Sequence, residues 1–246
     1  MAHSFLIFIP TFNERENVEL ILAKLLDLKL NADILFVDDN SPDGTGEILD
    51  DLAKKYSNVL VKHREKKSGI GGAHSFAIQW AYKNRYDQII TMDCDFSHSP
   101  EYIPLFIEGA LDSDIVVGSR FMRPDSLRGW SIWRKLINGL GHILTTIFLK
   151  LPYDATGAYR LYNLRNINLD FLMIVESKGY SFFFESLFVL NVNGYKISEV
   201  SIDLPARTYG HSKMVLKDML NSLRLLNHIF WMKIFNPSKF KIRSKK

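Results

Sequence analysis

The chain has 246 residues, of which 47% are hydrophobic and 24% are charged, and its formal net charge is +4. These values are typical of a globular protein and exclude collagen-like, disordered and disulfide-scaffold classes. The single cysteine, Cys94, excludes an intrachain disulfide and a cysteine-based zinc cage, and it fits a reducing compartment. We therefore expect one domain, with a core large enough to fold without covalent or metal cross-links.

The first half of the chain alternates short apolar runs with helical patterns. The predicted strands are Phe5–Ile9, Ile34–Val37, Val59–Val61, Gln88–Met92 and Ile115–Val117. The predicted helices are Glu14–Leu28, Thr45–Tyr56, Gly71–Asn84 and Pro100–Leu111. Continuous apolar strands separated by helices predict an α/β fold with a mostly parallel, Rossmann-like sheet and helices on both faces. Ligands bind such sheets beyond the carboxyl ends of the strands.

The second half carries two amphipathic stripes, over residues 133–151 and 216–230. Such helices can lie in the interfacial plane of a bilayer, or they can pack on the domain, and periodicity alone leaves both readings open. Polar residues interrupt both stripes, so we expect no membrane-spanning helix. No signal peptide is predicted either.

Positive charge is concentrated at the C-terminal end of the chain. No acidic residue follows Asp218, and the basic residues beyond it are Arg224, Lys233, Lys239, Lys241, Arg243, Lys245 and Lys246. The net charge of residues 1–218 is consequently negative. A basic tail of this kind suggests an anionic partner such as a membrane surface, and the alternative is a solvated tail.

Charged side chains follow several of the predicted strands. Asp93 and Asp95 come directly after the fourth strand, and Arg120 follows the fifth. Two carboxylates at i and i+2 can reach one ion where the chain turns, and their hard oxygens suit Mg²⁺ or Mn²⁺. The alternative is a turn whose aspartates cap the helix near Pro100. We expect His98 to be a pocket or capping residue rather than a metal ligand.

Two further segments at strand ends are ambiguous. Asp38 and Asp39 cannot face the same way, so one is expected to meet a nucleotide base or ribose while the other orders the following SPDGT turn. Residues 68–72 form a glycine-rich segment before a helix, which could place N–H groups near a phosphate or could simply be a flexible loop.

Seven segments in chain order resemble the family 2 glycosyltransferases of GT-A fold. They are IPTFNERENV, VDDNSPDGT, MDCDFSHSPE, DIVVGSRF, Trp130 with Arg134, DATGAYRLY and EVSIDLPARTYGHSK, which together span about residues 5–217. Within that family the segments are most similar to dolichyl- or polyprenyl-phosphate mannosyltransferases, in a soluble form without transmembrane helices.

The resemblance implies roles for particular residues. The implied donor-binding residues are Pro10, Phe12, Glu14, Val37, Asp39, Asp93, Cys94 and Asp95. The implied metal ligands are Asp93, Asp95 and Ser97, for Mg²⁺ or Mn²⁺. The implied phosphate- and acceptor-binding residues are Arg120, Arg134, Arg207 and Lys213, with Asp95 and Arg120 as the catalytic pair. The chain departs from the family at Phe12, usually Tyr, at Phe183, commonly Gln, at Ser201, commonly Pro, and in the TGAY segment 156–159.

The implied reaction transfers mannose from GDP-mannose to dolichyl or polyprenyl phosphate with inversion. Residues 1–118 form the expected donor half, 119–213 the acceptor half, and 214–246 the amphipathic helix and basic tail of a single domain. We expect no nucleic-acid partner, and peripheral association with the cytoplasmic face of a membrane, either directly or through a membrane-spanning partner subunit. The alternatives are a UDP-glucose or UDP-N-acetylhexosamine donor, transfer to a sugar or protein hydroxyl, and a non-catalytic membrane-surface module.

Two other enzyme classes fit the motifs poorly. The DCDFS segment superficially matches a phosphatase motif with Asp93 as nucleophile, but that motif normally follows the first strand rather than the fourth. No G-x-G-x-x-G follows the first strand, which disfavours a dinucleotide oxidoreductase.

Overall fold

The computed structural model describes residues 5–66, 68–205 and 215–242, which build one seven-stranded sheet flanked by helices. The strands are β1 (Phe5–Thr11), β2 (Asp33–Asp38), β3 (Val59–His63), β4 (Gln88–Thr91), β5 (Ile115–Ser119), β6 (Arg160–Asn163) and β7 (Ile197–Ser201). The helices are α1 (Val18–Asp27), α2 (Thr45–Lys55), α3 (Ile70–Lys83), α4 (Ile103–Gly109), α5 (Ile132–Leu149), α6 (Phe171–Ile174), α7 (Phe182–Val192) and α8 (Leu216–Phe235).

The strand order is β3-β2-β1-β4-β6-β5-β7. β1 pairs in parallel with β2 and β4, and β5 pairs in parallel with β7. β6 is antiparallel to both of its neighbours, β4 and β5. Since β4 and β5 both oppose β6, they run in the same direction, and the carboxyl ends of β1, β2, β4 and β5 meet at one edge. The predicted mostly parallel α/β sheet is confirmed.

All five predicted strands and all four predicted helices of the first half are present, with shifted ends. α1 begins at Val18 instead of Glu14, because residues 14–17 form a turn in which the Asn17 amide donates to the Glu14 carbonyl at 2.8 Å. The predicted helix from Pro100 is a short 3-10 turn, Pro100–Tyr102, followed by α4. Ser99 caps that turn by accepting from the Glu101 amide, at 3.4 Å.

In the described part of the second half, four strands and α-helices were not predicted from the sequence: β6, α6, α7 and β7. α7 reads FFFESLFVLNV, and its residues 182–190 are all buried. A helix that is apolar on every side has no periodic signal. β6 and α6 have four residues each, too few for a period to show.

Two apolar cores cover the two faces of the sheet. Alternate residues of β1 belong to different cores: Leu6 and Phe8 pack with α3 and α7, and Ile7 and Ile9 pack with α1, α2 and α4. This accounts for the continuously apolar strands, because both faces of the sheet are covered.

The glycine-rich segment before α3 is a site of close packing. Gly69 has φ +86°, and a Cβ there would overlap the Lys178 carbonyl, while a Cβ on Gly71 would overlap Phe182. The Gly72 amide donates to the Lys178 carbonyl at 3.1 Å. Here the glycines let α3 approach the loop that precedes α7.

The two amphipathic stripes are α5 and α8, which pack together at the surface. Phe148 on α5 meets Phe230 on α8 edge to face, with ring centroids 5.0 Å apart, and Lys233 donates to the Phe148 carbonyl at 3.0 Å. Both helices keep large apolar side chains exposed, among them Ile132, Trp133, Leu136, Leu140, Ile147, Leu216, Leu223 and Phe235. Within residues 5–66, 68–205 and 215–242, no helix has the length and apolarity needed to cross a bilayer.

The chain after α8 packs back onto the domain as far as residue 242. Phe240 is buried against Phe188, and Asn193 donates to the Phe240 carbonyl at 2.7 Å. Lys239 pairs with Glu176 at 2.8 Å. Part of the predicted basic tail is thus a packed segment, while Arg243, Lys245 and Lys246 lie outside the described residues.

A buried histidine on α3 makes the fold sensitive to acid. His74 is fully buried, its ring packs edge-on against Phe8 and Phe183 at 5.1 and 4.9 Å, and neither ring nitrogen has a hydrogen-bond partner in the part of the chain that the structure describes. Burial, reinforced by the positive charge of Arg160, lowers the pKa of His74 to about 3. The folded protein therefore holds His74 neutral, whereas the unfolded chain protonates it below about pH 6.5.

We expect the free energy of unfolding to fall as the pH drops from about 6.5 towards 3, because the unfolded state binds the additional proton. The slope from this residue is about 1.4 kcal/mol per pH unit. His74→Phe removes the titration, so its urea-unfolding free energy will show a shallower acid dependence than the wild type. The exposed His228 offers the matched control: His228→Phe should keep the wild-type slope, and an equal slope in all three proteins would contradict the prediction.

Candidate active site

A cleft of about 810 Å³ opens where the carboxyl ends of the strands face α5 and α8. The sequence-predicted residues that line it are Pro10, Phe12, Glu14, Asp39, Asp93, Cys94, Asp95, Ser97, Arg120 and Arg134. Val37 does not line the cleft, because its side chain is fully buried in the core beneath it. Arg207 and Lys213 lie outside the described residues.

The end of β1 contributes Phe12 and Glu14 to the cleft. The Glu14 amide donates to the Thr45 hydroxyl at 3.0 Å, and the Glu14 carboxylate accepts from the Asn17 side chain at 2.7 Å. Asn13, between the two cleft residues, has φ +55°, which Asn tolerates better than most residues. The first strand end is therefore anchored to α2 by Thr45.

The end of β2 separates the roles of its two aspartates. Asp38 accepts from the Ser41 amide at 3.0 Å and from its hydroxyl at 2.5 Å, so Asp38 is the residue that orders the turn. Asp39 lines the cleft and forms a two-point pair with Arg64, whose Nε and Nη2 donate to the two carboxylate oxygens at 2.5 and 2.7 Å. Sequence reasoning missed Arg64, which lies just after β3 with no motif around it.

The end of β4 is a tight turn that brings Asp93, Asp95 and Ser97 to the cleft. Phe96 has φ +60°, a backbone conformation that is costly for a bulky side chain and that accumulates at functional sites. The Ser97 amide donates to Asp95 Oδ1 at 3.1 Å, and the Asp93 amide donates to His98 Nδ1 at 2.9 Å. His98 is thus a buried turn-stabilising residue, and its ring packs against Tyr159 in a tilted arrangement with centroids 4.8 Å apart.

The donor set at this turn fits a hard divalent cation that takes only part of its coordination from protein. Asp93 and Asp95 supply carboxylate oxygens at one wall of the cleft. No cluster of three or more His, Cys, Asp or Glu residues that could cage a metal occurs among the described residues. Mg²⁺ is commonly held in this way, by one or two carboxylates together with substrate phosphates and water.

Arg120, after β5, is held by three side chains. Its Nε and Nη2 donate to the two oxygens of Asp154 at 2.7 and 2.6 Å, Nη2 also donates to Thr156 at 2.6 Å, and Nη1 donates to Asn138 at 3.0 Å. Burial opposes the charge of both members of the ion pair, but their mutual attraction wins: the pKa of Arg120 is raised and that of Asp154 is lowered. The charge of Asp93 also raises the pKa of Arg120, so the guanidinium lies within electrostatic reach of the β4 turn.

Arg134 reaches the cleft from the first turn of α5. Its guanidinium lies 4.1 Å from the ring centroid of Trp130, a cation–π arrangement that holds the side chain. Unlike Arg120, it is exposed. Arg134 is therefore the more accessible cation of the two.

The remaining wall of the cleft is apolar. α5 contributes Ile137, Leu140 and Leu144, and α8 contributes Met219 and Leu223. Leu140 and Leu223 are also about half exposed at the surface of the two helices. The apolar wall is consequently continuous with the exposed apolar faces of α5 and α8.

Comparison with characterised proteins places these features in a family. The model of the family described as Glycosyl transferase family 2 matches residues 6–180. The chain is 40% identical over 213 residues to an undecaprenyl-phosphate mannosyltransferase of Micrococcus luteus, covering 85% of this chain and 86% of that protein. It is 36% identical over 217 residues to the polyprenol monophosphomannose synthase of Mycolicibacterium smegmatis, covering 85% and 80%.

Solved structures support the fold. The S. aureus TarS 1–349 structure in complex with UDP has a TM-score of 0.55 at 17% identity, covering 93% of this chain and 65% of that one. The mannosyltransferase PcManGT from Pyrobaculum calidifontis, in complex with GDP-Man and Mn²⁺, has a TM-score of 0.50 at 14% identity, covering 98% and 66%. This chain thus spans just under two thirds of each of those longer proteins, and the predicted GT-A fold is confirmed. The chain belongs to glycosyltransferase family 2.

Proposed function

We propose that this glycosyltransferase moves mannose from GDP-mannose to a polyprenyl phosphate. One observation carries the proposal: a single cleft joins the carboxylates Asp93 and Asp95, the arginines Arg120 and Arg134, and an apolar wall from α5 and α8. The carboxylates suit a nucleotide sugar bound with a divalent ion, and the arginines and the apolar wall suit the phosphate and the chain of a lipid phosphate. The two relatives with 40% and 36% identity are named for transfer of mannose to such lipids, which supports this choice of substrates.

Metal dependence is part of the proposal. We assign Asp93 and Asp95 as ligands of Mg²⁺ or Mn²⁺, with Ser97 beside them. A divalent ion there would act as a Lewis acid that stabilises the negative charge developing on the nucleoside diphosphate. PcManGT, which shares the fold, was solved with Mn²⁺ and GDP-Man. On the donor side, Phe12, Glu14 and the Asp39–Arg64 pair are the groups available to the nucleoside.

Acceptor chemistry accounts for the cationic side of the cleft. A phosphate monoester has a second pKa of about 6 and is largely dianionic at pH 7, so its oxygen can attack without a general base. His98 is unsuited to that role at Nδ1, which accepts the Asp93 amide. An acceptor phosphate needs donors that orient it, and Arg120 and Arg134 supply them. Attack on the anomeric carbon forms one C–O bond, breaks the bond to the diphosphate and inverts the centre, giving GDP and a β-linked lipid phosphate mannose.

The substrate assignment is tested by incubating the protein and Mn²⁺ with labelled GDP-mannose, UDP-glucose or UDP-N-acetylglucosamine. Each donor is combined with polyprenyl phosphate or with the matching polyprenol, which lacks the phosphate. We expect label in organic-extractable lipid only from GDP-mannose with polyprenyl phosphate. Lipid label from a UDP-sugar instead would show that the donor is that sugar nucleotide and not GDP-mannose. Labelling of the polyprenol, or hydrolysis of the donor by water alone, would overturn the assignment of a lipid phosphate as acceptor.

The metal assignment is tested with Asp95→Asn, which keeps the shape of the side chain and removes its charge. We expect turnover to fall by about a hundredfold or more, and Mn²⁺-dependent binding of GDP to weaken in calorimetry. Asp51→Asn removes an exposed carboxylate that pairs with Lys54 on α2 and serves as the control. Wild-type Mn²⁺-dependent binding of GDP in Asp95→Asn would remove Asp95 from the metal site.

We further propose that the exposed apolar faces of α5 and α8 rest on the membrane that holds the lipid, on its cytoplasmic side. Trp133, Leu136 and Leu140 are 76%, 57% and 55% exposed on the same helix that lines the cleft. Amphipathic helices with aromatic and basic residues bind bilayer surfaces in this way. Phe148, near the C-terminal end of the same helix, packs on Phe230 instead of facing outward. Lys233, Lys239 and Lys241 bond within the protein, so we assign most of the binding to the apolar faces.

We expect the double variant Trp133→Asp, Leu136→Asp to bind liposomes of phosphatidylcholine with 30% phosphatidylglycerol at least about tenfold more weakly in flotation assays. The control is Leu111→Asp, since Leu111 is 79% exposed after α4 and away from the cleft. In detergent, the double variant should transfer mannose to a short-chain polyprenyl phosphate at close to the wild-type rate, because no bilayer has to be bound. Equal liposome binding by the double variant and the control would contradict docking through α5.

A further inference from the structure

We propose that Asp154 is a positioning residue, which fixes the guanidinium of Arg120 so that one N–H of Nη1 is presented to the acceptor phosphate. The inference rests on the proposed function, because it takes Arg120 to be the group that meets the lipid phosphate. Asp154 opens the DATGAYRLY segment of the family resemblance, but that resemblance implied no role for it.

The hydrogen bonds of Arg120 leave one N–H of its guanidinium without an acceptor among the described residues. A guanidinium has five N–H groups. Four of them are used by the two oxygens of Asp154, by Thr156 and by Asn138, at 2.6 to 3.0 Å. The fifth belongs to Nη1 and has no acceptor among the described residues. Because Arg120 lines the cleft and is only 8% exposed, that N–H is the one that a ligand can use.

Asp154 is itself held in place, as a positioning residue must be. It is fully buried, and its amide donates to Glu199 at 2.7 Å. The loop that carries it is fixed to the sheet by Thr91, whose hydroxyl donates to the Ala158 carbonyl at 2.6 Å, and by Arg160, which donates to the Ala155 carbonyl at 2.8 Å. The carboxylate thus cannot follow Arg120 if the arginine moves.

The pairing also determines what Arg120 can contribute. Asp154 cancels its charge at close range, so Arg120 acts on a phosphate as an oriented hydrogen-bond donor and much less as a net positive charge. The exposed Arg134 supplies the net positive charge. Asn138, which bonds to both Arg120 and the Arg134 carbonyl, ties the two arginines to the same helix. Loss of Asp154 should therefore impair binding of the acceptor selectively.

The test is steady-state kinetics of Asp154→Asn with polyprenyl phosphate and GDP-mannose varied in turn. We expect the KM for polyprenyl phosphate to rise about tenfold, the effect of misplacing one charged hydrogen bond, and the KM for GDP-mannose to change less than about twofold. Asp87→Asn, which breaks an aspartate–arginine pair with the exposed Arg165 near the opposite edge of the sheet, is the matched control. Binding of GDP and Mn²⁺ should be unchanged in both.

A double-mutant cycle separates positioning from a merely structural role. If Asp154 acts through Arg120, then Asp154→Asn in an Arg120→Lys background should raise the KM for polyprenyl phosphate by less than about twofold further. The inference is overturned, while the proposed function stands, if the two substitutions raise the KM for polyprenyl phosphate by independent factors that multiply in the double variant. It is overturned equally if Asp154→Asn has the same KM for polyprenyl phosphate as Asp87→Asn. If Asp154→Asn does not fold by circular dichroism, Thr156→Val should raise the same KM and Thr156→Ser should restore it; equal KM values in that pair would overturn it. A wild-type protein that does not use polyprenyl phosphate would overturn the proposed function and this inference together.

Discussion

The concentration of carboxylates at one edge of the sheet is the constraint on which the rest of the site depends. Asp38, Asp39, Asp93 and Asp95 follow two of the strands, and Asp154 lies beside them on the loop before β6. Like charges in a confined, partly dry cleft raise one another's energy unless each is neutralised or hydrogen-bonded. The fold supplies a separate solution for three of them: a turn for Asp38, Arg64 for Asp39 and Arg120 for Asp154.

The two carboxylates of the β4 turn, Asp93 and Asp95, make their contacts with residues of the same turn. Asp95 accepts the Ser97 amide, and the Asp93 carboxylate lies 3.7 Å from His98 Nδ1, which accepts the Asp93 amide. The charge of Asp93 reaches Arg120 across the cleft. In the proposed function the β4 turn is the side that holds a divalent ion and the diphosphate, and the acceptor phosphate enters from the opposite side. In that function the arrangement would separate the negative charges of two substrates that otherwise repel each other.

The sequence specified the first half of the chain, which is the donor side of the proposed function, better than the second half, for physical reasons. Alternating apolar runs and helical periods are strong signals, and they located β1 to β5 and the turn carrying Asp93 and Asp95. Arg64, Asn138 and Asp154 could not be found this way, because each acquires its role from a partner distant along the chain. The glycine-rich segment 68–72 was ambiguous in the sequence, and the structure adds a packing requirement at Gly69 and Gly71, which lie close to residues 178–182. α7 could not be predicted because a helix buried on all sides lacks the hydrophobic periodicity on which helix prediction relies.

The helices α5 and α8 connect the cleft with the surface of the protein. Their inward side chains form the apolar wall of the cleft, and their outward side chains remain exposed, so no polar barrier is built between wall and surface. Arg134 and Asn138 lie on the same helix as Trp133 and Leu140, and Asn138 is bonded to Arg120. A lipid phosphate entering along this surface would therefore meet its polar ligands one helical turn from its apolar ones. In the proposed function, the helix that contacts the lipid chain also orients the phosphate, so docking and acceptor binding would be parts of one event.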